Sequence, residues 1–419
     1  MRTAGRGERV VSFDEALEIV LQEAARARTP RLERLRLEAA GGRVLGVAIT
    51  ADRDQPPFDR STRDGFAVRT ADVAAGTWLE VAGQVRAGTQ WEGALPEDAA
   101  IEIMTGAPVP DEADAVVMLE HVERSGSGEL RAIRLADRRT ISPGENIVCR
   151  GAEAQAGDEV LAAGTEMDAA AVALAAGCGA STVEVFARPA VSILATGDEL
   201  VDLDVVPGPQ QIRNSNSYGL AALVTQAGGA PMRLPVAPDR REELEELILQ
   251  ARTADLMLLS GGVSVGEYDL VEEVLREIGA EFFFTGVKMQ PGKPVVFGRA
   301  PERDGMRGVY FFGLPGNPVS TQVTFACFVE PMLRAMRGNS AEGPRFVQAT
   351  LADAVPGKPE FTRVLPARLT PNRKDPKVKL VVWQGSGDMA ANARANCYAV
   401  LPPEVERFEV GDVITVLLR

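Results

Sequence analysis

The stretch DLMLLSGGVSVGEYDLVEEVLREIG, residues 255–279, decides the architecture. It runs from an apolar segment through a glycine-rich turn into an amphipathic segment, the order strand, loop, helix. Its loop, SGGVSVGEYDL (260–270), stands where the first N–H groups of a helix lack intrahelical partners. Gly261, Gly262 and Gly266 let the backbone close on a ligand, Ser260 and Ser264 add hydroxyls, and the helix start favours negative charge. A phosphate fits there, as does another tetrahedral oxyanion. No Gly-Lys-Ser/Thr follows, so it is not a Walker A loop. Asp269 is either a plain helix cap or a carboxylate holding a metal against the anion.

The alternation extends outward over residues 189–338. VSILATG, MRLPVA, EFFFTGV, VVFG and VYFFG read as strands, and SYGLAALVTQAG, DRREELEELILQAR and NPVSTQVTFACFVEPMLRAM as helices. This order predicts a parallel, doubly wound α/β sheet, whose ligands bind in loops at the carboxyl ends of the strands. ATGDEL (195–200) brings Thr196, Asp198 and Glu199 to that edge, as turn caps or as hard-cation ligands of the Mg²⁺ type. MQPGKPVVFG (289–298) puts Lys293 on a Pro-Gly turn, where it is a solvated charge or a cation aimed at the same mouth. FGLPGNPVS (312–320) repeats the device with Pro315 and Gly316, Asn317 at an N-cap, Pro318 at N1 and Ser320 in the first turn. IRNSNSYG (212–219) opens another helix with polar caps.

The flanks differ. Residues 9–30 read as a packing helix, started by a Ser12/Glu15 capping box and stopped at Thr29-Pro30. From about 54 to 139, short apolar runs broken by Gly, Pro and Asp predict a small β module. Within it, PPFDRSTRDGFAVR (56–69) carries Asp64-Gly65 as a hairpin signal, and IEIMTGAPVP (101–110) ends a strand in a Thr105-Gly106 turn. Residues 158–188 hold an Ala-rich helix and the strand TVEVF, and 345–419 read as a last β-rich domain.

Bulk properties narrow the function. A chain of 419 residues calls for several domains, and its net charge of −14 argues against a nucleic-acid binder. The N-terminus lacks a secretory apolar core, and no apolar run is long enough to span a membrane. The four cysteines are scattered, which fits a reducing cytoplasmic setting, and the single histidine, His121, argues against histidine-ligated metal chemistry.

Taken in order, FDRSTRDGFAV, IMTGAPVP, TGDEL, IRNSN, SGGVSVGEYD, MQPGKP, GLPGNPVS and QGSG resemble the molybdopterin molybdenumtransferase family, MoeA and the E domain of gephyrin. The resemblance runs from 56 to 387 and implies four domains. The first comprises 1–53 and 140–188, an inserted β domain 54–139, an α/β molybdopterin-binding domain 189–339 and a C-terminal β domain 340–419. It also implies a homodimer with its active site between subunits. The family reaction takes adenylylated molybdopterin and molybdate, hydrolyses the phosphoanhydride, releases AMP and leaves molybdenum on the dithiolene, assisted by a divalent cation such as Mg²⁺. A molybdopterin adenylyltransferase is the implied supplier. Carried across, the catalytic residues are Asp64, Thr105, Glu199, Asp269 and Lys293, with Glu199 and Asp269 on the metal. Ser260, Gly261, Gly262, Ser264, Gly266, Pro315, Gly316, Asn317 and Ser320 would hold the pterin phosphate.

The chain departs from the family pattern at Thr62-Arg63 before the Asp-Gly pair, at Gly151-Ala152-Glu153, at Asn214 and at Asp388. Two other readings compete: an adenylyltransferase, which shares the SGGVSVG and LPGNP loops, and a pterin carrier that has lost turnover. The 150 residues before the α/β domain and the QGSG tail argue against the first; the changes at 152 and 214 motivate the second.

Overall fold

The computed structural model describes residues 9–27, 30–74, 76–127, 130–136, 139–261, 270–303 and 305–419. Helix α1 spans Phe13–Ala25, with the Ser12 hydroxyl accepting from the Glu15 N–H at 3.1 Å. It starts later than its pattern predicts because Val10–Val11 form a parallel strand with Gly286–Val287. The predicted stop at Thr29 lies outside the described residues. The apolar face Phe13, Ala16, Val20 and Ala24 shares one core with Val191, Leu258 and Phe312. Residues 10–25, grouped with the first domain by sequence, therefore pack into the α/β unit.

The inserted sheet comprises β1 (Gly65–Val68), β2 (Leu79–Val85), β3 (Ala99–Ile103), β4 (Ala115–Met118), β5 (Val122–Ser127) and β6 (Leu130–Leu135), in the order β4-β1-β3-β2-β6-β5. The hairpin expected at Asp64-Gly65 does not form. Arg60–Ser61 pairs instead with Ile147–Val148, and Gly65 opens β1 between β3 and β4. Its glycine answers a packing demand: a Cβ there would lie 2.0 Å from the Val117 carbonyl oxygen. Beyond this sheet, α2 (Ala169–Gly177) is capped by Asp168, and Leu32–Arg36 pairs antiparallel with Thr182–Phe186.

The α/β unit follows as β7 (Ala190–Ala195), α3 (Ser215–Gln226), β8 (Ala230–Arg233), α4 (Arg241–Ala251), β9 (Leu256–Ser260), α5 (Leu270–Glu277), β10 (Glu281–Phe284), β11 (Val296–Ala300), β12 (Val309–Leu314), α6 (Pro318–Thr324) and α7 (Glu330–Met336). Strand order is β8-β7-β9-β12-β11-β10. The first four are parallel, whereas β11 runs antiparallel to both neighbours, so the sheet is mixed rather than all parallel. The link from β11 to β12 is too short for a crossover helix, which needs a dozen or so residues. The closing helix is continuous only through a π-helical turn at Phe325–Val329.

The C-terminal domain contains β13 (Phe346–Leu351), β14 (Thr362–Thr370), β15 (Lys377–Leu380), α8 (Met389–Arg394), β16 (Cys397–Leu401) and β17 (Val413–Leu418). The order β14-β15-β13-β17-β16 returns to β14, closing a barrel without open edges. Met289–Gln290 adds to β14 in parallel and ties the barrel to the α/β unit. Among the described residues, no helix is long and apolar enough to cross a membrane.

Candidate functional site

Parallel strands β7, β9 and β12 end at one rim and deliver three loops to it. Thr196, Gly197 and Glu199 leave β7, Ser260 and Gly261 end β9, and Pro315, Gly316 and Asn317 leave β12; all line one cleft of about 940 Å³. The loops touch because glycines remove the side chains between them. Gly261 has φ +88°, and a Cβ on it would sit 2.6 Å from the Thr196 carbonyl oxygen. The Thr196 N–H donates to the Ser260 carbonyl at 3.0 Å, and the Gly261 N–H to the Leu314 carbonyl at 3.3 Å. From α3, Asn216 donates its side-chain amide to Ser260 Oγ at 3.0 Å and to the Gly316 carbonyl at 2.8 Å. One side chain thus holds two of the three loops. The Thr196 hydroxyl is buried against this junction with no hydrogen-bond partner among the described residues.

The sequence-nominated residues divide into groups. Ser260, Gly261, Pro315, Gly316, Asn317 and Glu199 line the cleft. Asn317 occupies the N-cap with Pro318 at N1, yet its side chain makes no capping bond and no other hydrogen bond among the described residues at the cleft wall. Lys293 is exposed on the loop entering β11, next to Pro294, which does line the cleft. Because β11 opposes β12, this loop opens at the same rim. Ser320 is buried in α6 and does not line the cleft. Gly262, Ser264, Gly266 and Asp269 lie outside the described residues.

Asp64 and Thr105 come together, but elsewhere. The Thr105 N–H and hydroxyl both donate to Asp64 Oδ1, at 2.7 and 2.8 Å. These bonds hold the Asp64 carboxyl below the ordinary range, the backbone donor contributing most. Asp64 Oδ2 takes no hydrogen bond among the described residues, so one oxygen is anchored and the other is available. Neither residue lines the cleft of its own chain.

The cleft also holds residues to which the sequence alone assigns no role in the site. Asp239 follows β8, drawn in by the Gly197 N–H bonding the Ala237 carbonyl at 3.2 Å. Burial, and then the charges of Asp198 and Glu199, push its carboxyl above the usual range. Its signal was topological: β8 is the parallel neighbour of β7, so its exit loop must reach the same rim. Arg213 is a lining cation whose Nε donates to the Leu203 carbonyl at 3.2 Å, and Glu199, Asp239 and Glu273 line the same cleft. Among the described residues no group of three His, Cys, Asp or Glu side chains is arranged to hold a metal.

Three of the departures have local explanations. Asn214 caps α3, accepting from the Ser217 N–H at 3.1 Å and donating to its hydroxyl at 2.9 Å. Asp388 caps α8 through the Ala391 N–H at 2.9 Å. Glu153 pairs with Arg60 at 2.6 Å. Nothing in the structure explains Arg63.

Family profiles match the chain in three consecutive blocks. These are the MoeA N-terminal region (domain I and II) over 11–179, a probable molybdopterin binding domain over 192–335, and the MoeA C-terminal region (domain IV) over 348–418. The molybdopterin molybdenumtransferase of Staphylococcus epidermidis is 31% identical over 414 residues, which is 97% of this chain and 95% of that protein. That of Haemophilus influenzae is 33% identical over 390 residues, 92% and 93% of the two chains. Two crystal structures of the molybdopterin biosynthesis MoeA protein from Pyrococcus horikoshii superpose with TM-scores of 0.74 and 0.77. Their identities are 30% and 27%, over 98% of this chain and 99% and 100% of theirs.

Proposed function

The chain belongs to the molybdopterin molybdenumtransferase (MoeA) family, and from that premise we propose that it inserts molybdate into adenylylated molybdopterin in the cleft at the β7, β9 and β12 rim. Phosphoanhydride hydrolysis releases AMP, and molybdenum remains on the dithiolene. The observation that carries this reading is the junction locked by Asn216, which holds the β9 and β12 loop ends together in one cleft that the donor-bearing Arg213 and Asn317 also line. Such groups are suited to phosphoryl and molybdate oxygens, and their fixed dipoles need no reorganisation during reaction.

Electrostatics sets the main obstacle. Both substrates are anionic, and the described lining has the carboxylates of Glu199, Asp239 and Glu273 against the single guanidinium of Arg213. Lys293 supplies a further positive charge at the rim. Burial, and then the charges of Asp198 and Glu199, hold the Asp239 carboxyl above its usual range, and carboxylate oxygens are the ligand type a hard cation takes. Glu199 and Asp269 would hold Mg²⁺. When bound, the ion neutralises phosphoryl charge.

Asp64 and Thr105 are the part of the site this cleft lacks within one chain. We place them in the cleft of a second copy, so that the working enzyme is a homodimer with shared sites. The four free thiols fit a cytoplasmic setting, and an adenylyltransferase would deliver the substrate.

The test is AMP release from adenylylated molybdopterin on addition of molybdate, with and without Mg²⁺. Wild-type protein should release AMP, and Lys293→Ala and Asp269→Asn should do so about 10²–10³ slower, the usual effect of losing one electrostatic anchor. Equal release by all three proteins would overturn the site assignment. Binding of the pterin with no AMP release from wild-type protein would instead support the carrier reading.

A further inference from the structure

A second concave site lies at the opposite end of the α/β sheet. Ala190 begins β7, Asp255 precedes β9, Gly308 precedes β12 and Arg299 lies near the end of antiparallel β11; all four line a cavity of about 510 Å³. The catalytic rim is one strand length away, roughly 17 Å at about 3.3 Å per residue. The volume is in the range of small-molecule sites, roughly 300–1,000 Å³.

Its charge is unlike that of the molecule. Among the described residues, Arg26, Arg31, Arg188, Arg299 and Arg307 line it against the single carboxylate of Asp255, in a chain whose net charge is −14. Part of this surplus is structural. Helices α1, α4 and α7 end nearby, and each carboxyl end carries about half a negative charge. Arg307 answers α4 by donating to the Thr253 carbonyl at 3.2 Å, and it pairs with Asp255 at 2.8 Å. Arg26 pairs with Glu23 at 2.5 Å, and Glu23 also accepts from the Tyr310 hydroxyl at 3.0 Å.

The other three cations have no such use. The side chains of Arg31 and Arg188 make no hydrogen bond or ion pair among the described residues, and both are exposed. The Arg299 guanidinium lies over the Tyr310 ring at 5.3 Å and close against Gly308, where a Cβ would meet its Nη2 at 3.3 Å. This contact leaves the N–H groups of Arg299 with no hydrogen bond or ion pair among the described residues. Like charges gathered without counter-ions repel one another, and a multiply charged anion reverses the sign of that energy. Guanidinium forks match phosphoryl oxygens in pairs.

We propose that this cavity is a second anion site, separate from the catalytic cleft, which takes a small multiply charged phosphoryl ligand such as a diphosphate. Arg31, Arg188 and Arg299 make the contacts, with Arg26 and Arg307 as partly neutralised support. The site has its own recognition chemistry and needs neither Lys293 nor Asn216.

Calorimetric titration of the full chain with inorganic pyrophosphate tests it. Wild-type protein should bind with a Kd below 1 mM, and Arg188→Ser/Arg299→Ser should weaken that binding at least tenfold. Arg188→Lys/Arg299→Lys should keep an intermediate affinity, because charge survives while the forks do not. Arg31→Ser, at an exposed residue whose side chain has no described partner, leaves the fold least at risk and should weaken binding at least threefold. Identical titrations of wild-type and serine variants would confine pyrophosphate to the catalytic cleft and overturn the proposal, as would a wild-type Kd above 1 mM.

Discussion

Asn216 donates to Ser260 Oγ at 3.0 Å and to the Gly316 carbonyl at 2.8 Å, so one amide on α3 ties together loops that leave two different strands. Asn216→Ala should reduce kcat/KM for AMP release about tenfold or more, since each such bond is worth roughly 1 kcal/mol and the buried Ser260 hydroxyl loses its donor. Asn216→Asp should be worse than alanine, because a carboxylate would face the Gly316 carbonyl oxygen in place of a donor. Steady-state kinetics on the two variants, with thermal melts as the folding control, checks the order. An aspartate variant as active as wild type would remove the latch from the argument.

Glycine at 261 is a steric requirement. Alanine there meets both a φ of +88° and the Thr196 carbonyl oxygen at 2.6 Å. The backbone term alone costs about 1–3 kcal/mol. Gly316→Ala is the control, because its Cβ would find nothing closer than 3.9 Å, an ordinary contact. Chemical denaturation should show Gly261→Ala destabilised by more than about 1 kcal/mol, with Gly316→Ala within about 0.5 kcal/mol of wild type. The reverse ranking would mean that the loops are not packed as described.

Much of this site was legible in the sequence, for identifiable reasons. The runs ending at Ala195, Ser260 and Leu314 are apolar enough to be read as buried strands, and the turns after them hold Gly and Pro. From that pattern alone, the rim and its glycines follow. Strand direction is not written in such runs, which is why β11 read as parallel and proved antiparallel. Non-local contacts are equally silent. Asp64-Gly65 has the local signature of a hairpin, yet the glycine serves Val117, a neighbour in space and not in sequence. Asp239 in its polar loop and Arg213 at the end of a two-residue strand resemble solvated surface until the sheet order brings them to the cleft.

The Asp64 carboxyl provides a pH test. Thr105 holds it below the ordinary value, first through its N–H and then through its hydroxyl. A carboxyl depressed in the folded state contributes stability that is present above its unfolded pKa and lost as pH falls through the folded pKa. Thr105→Val removes the hydroxyl donor and keeps the N–H, so the Asp64 pKa should rise part of the way toward its model-peptide value of about 3.9. Carboxyl-resolved NMR titration reads this directly, and the acid limb of AMP release should move to higher pH with it. An Asp64 pKa unchanged in Thr105→Val would show that the hydroxyl bond at 2.8 Å does not form in solution.

The separation of Asp64 from the cleft leads to the last prediction. Oδ1 is pinned twice by Thr105 while Oδ2 has no hydrogen bond among the described residues, an arrangement that presents one oxygen in a fixed direction. Neither residue lines the cleft formed by its own chain. If a second copy supplies the cleft that Asp64 serves, then Asp64→Asn and Lys293→Ala damage different halves of one composite site. Each homodimer would be inactive, because every site carries one defect. A mixed dimer would hold one site with both defects and one with neither. Random exchange between equal amounts of the two variants makes half the dimers mixed, each with one intact site of two. Co-refolded mixtures should therefore recover about a quarter of wild-type AMP release per chain, the value that follows from closed twofold symmetry. Light scattering must show dimers in the same samples. Recovery of no activity from demonstrably mixed dimers would place Asp64 and Lys293 in the same chain's site, and Asp64 would have to reach the rim by a domain movement instead.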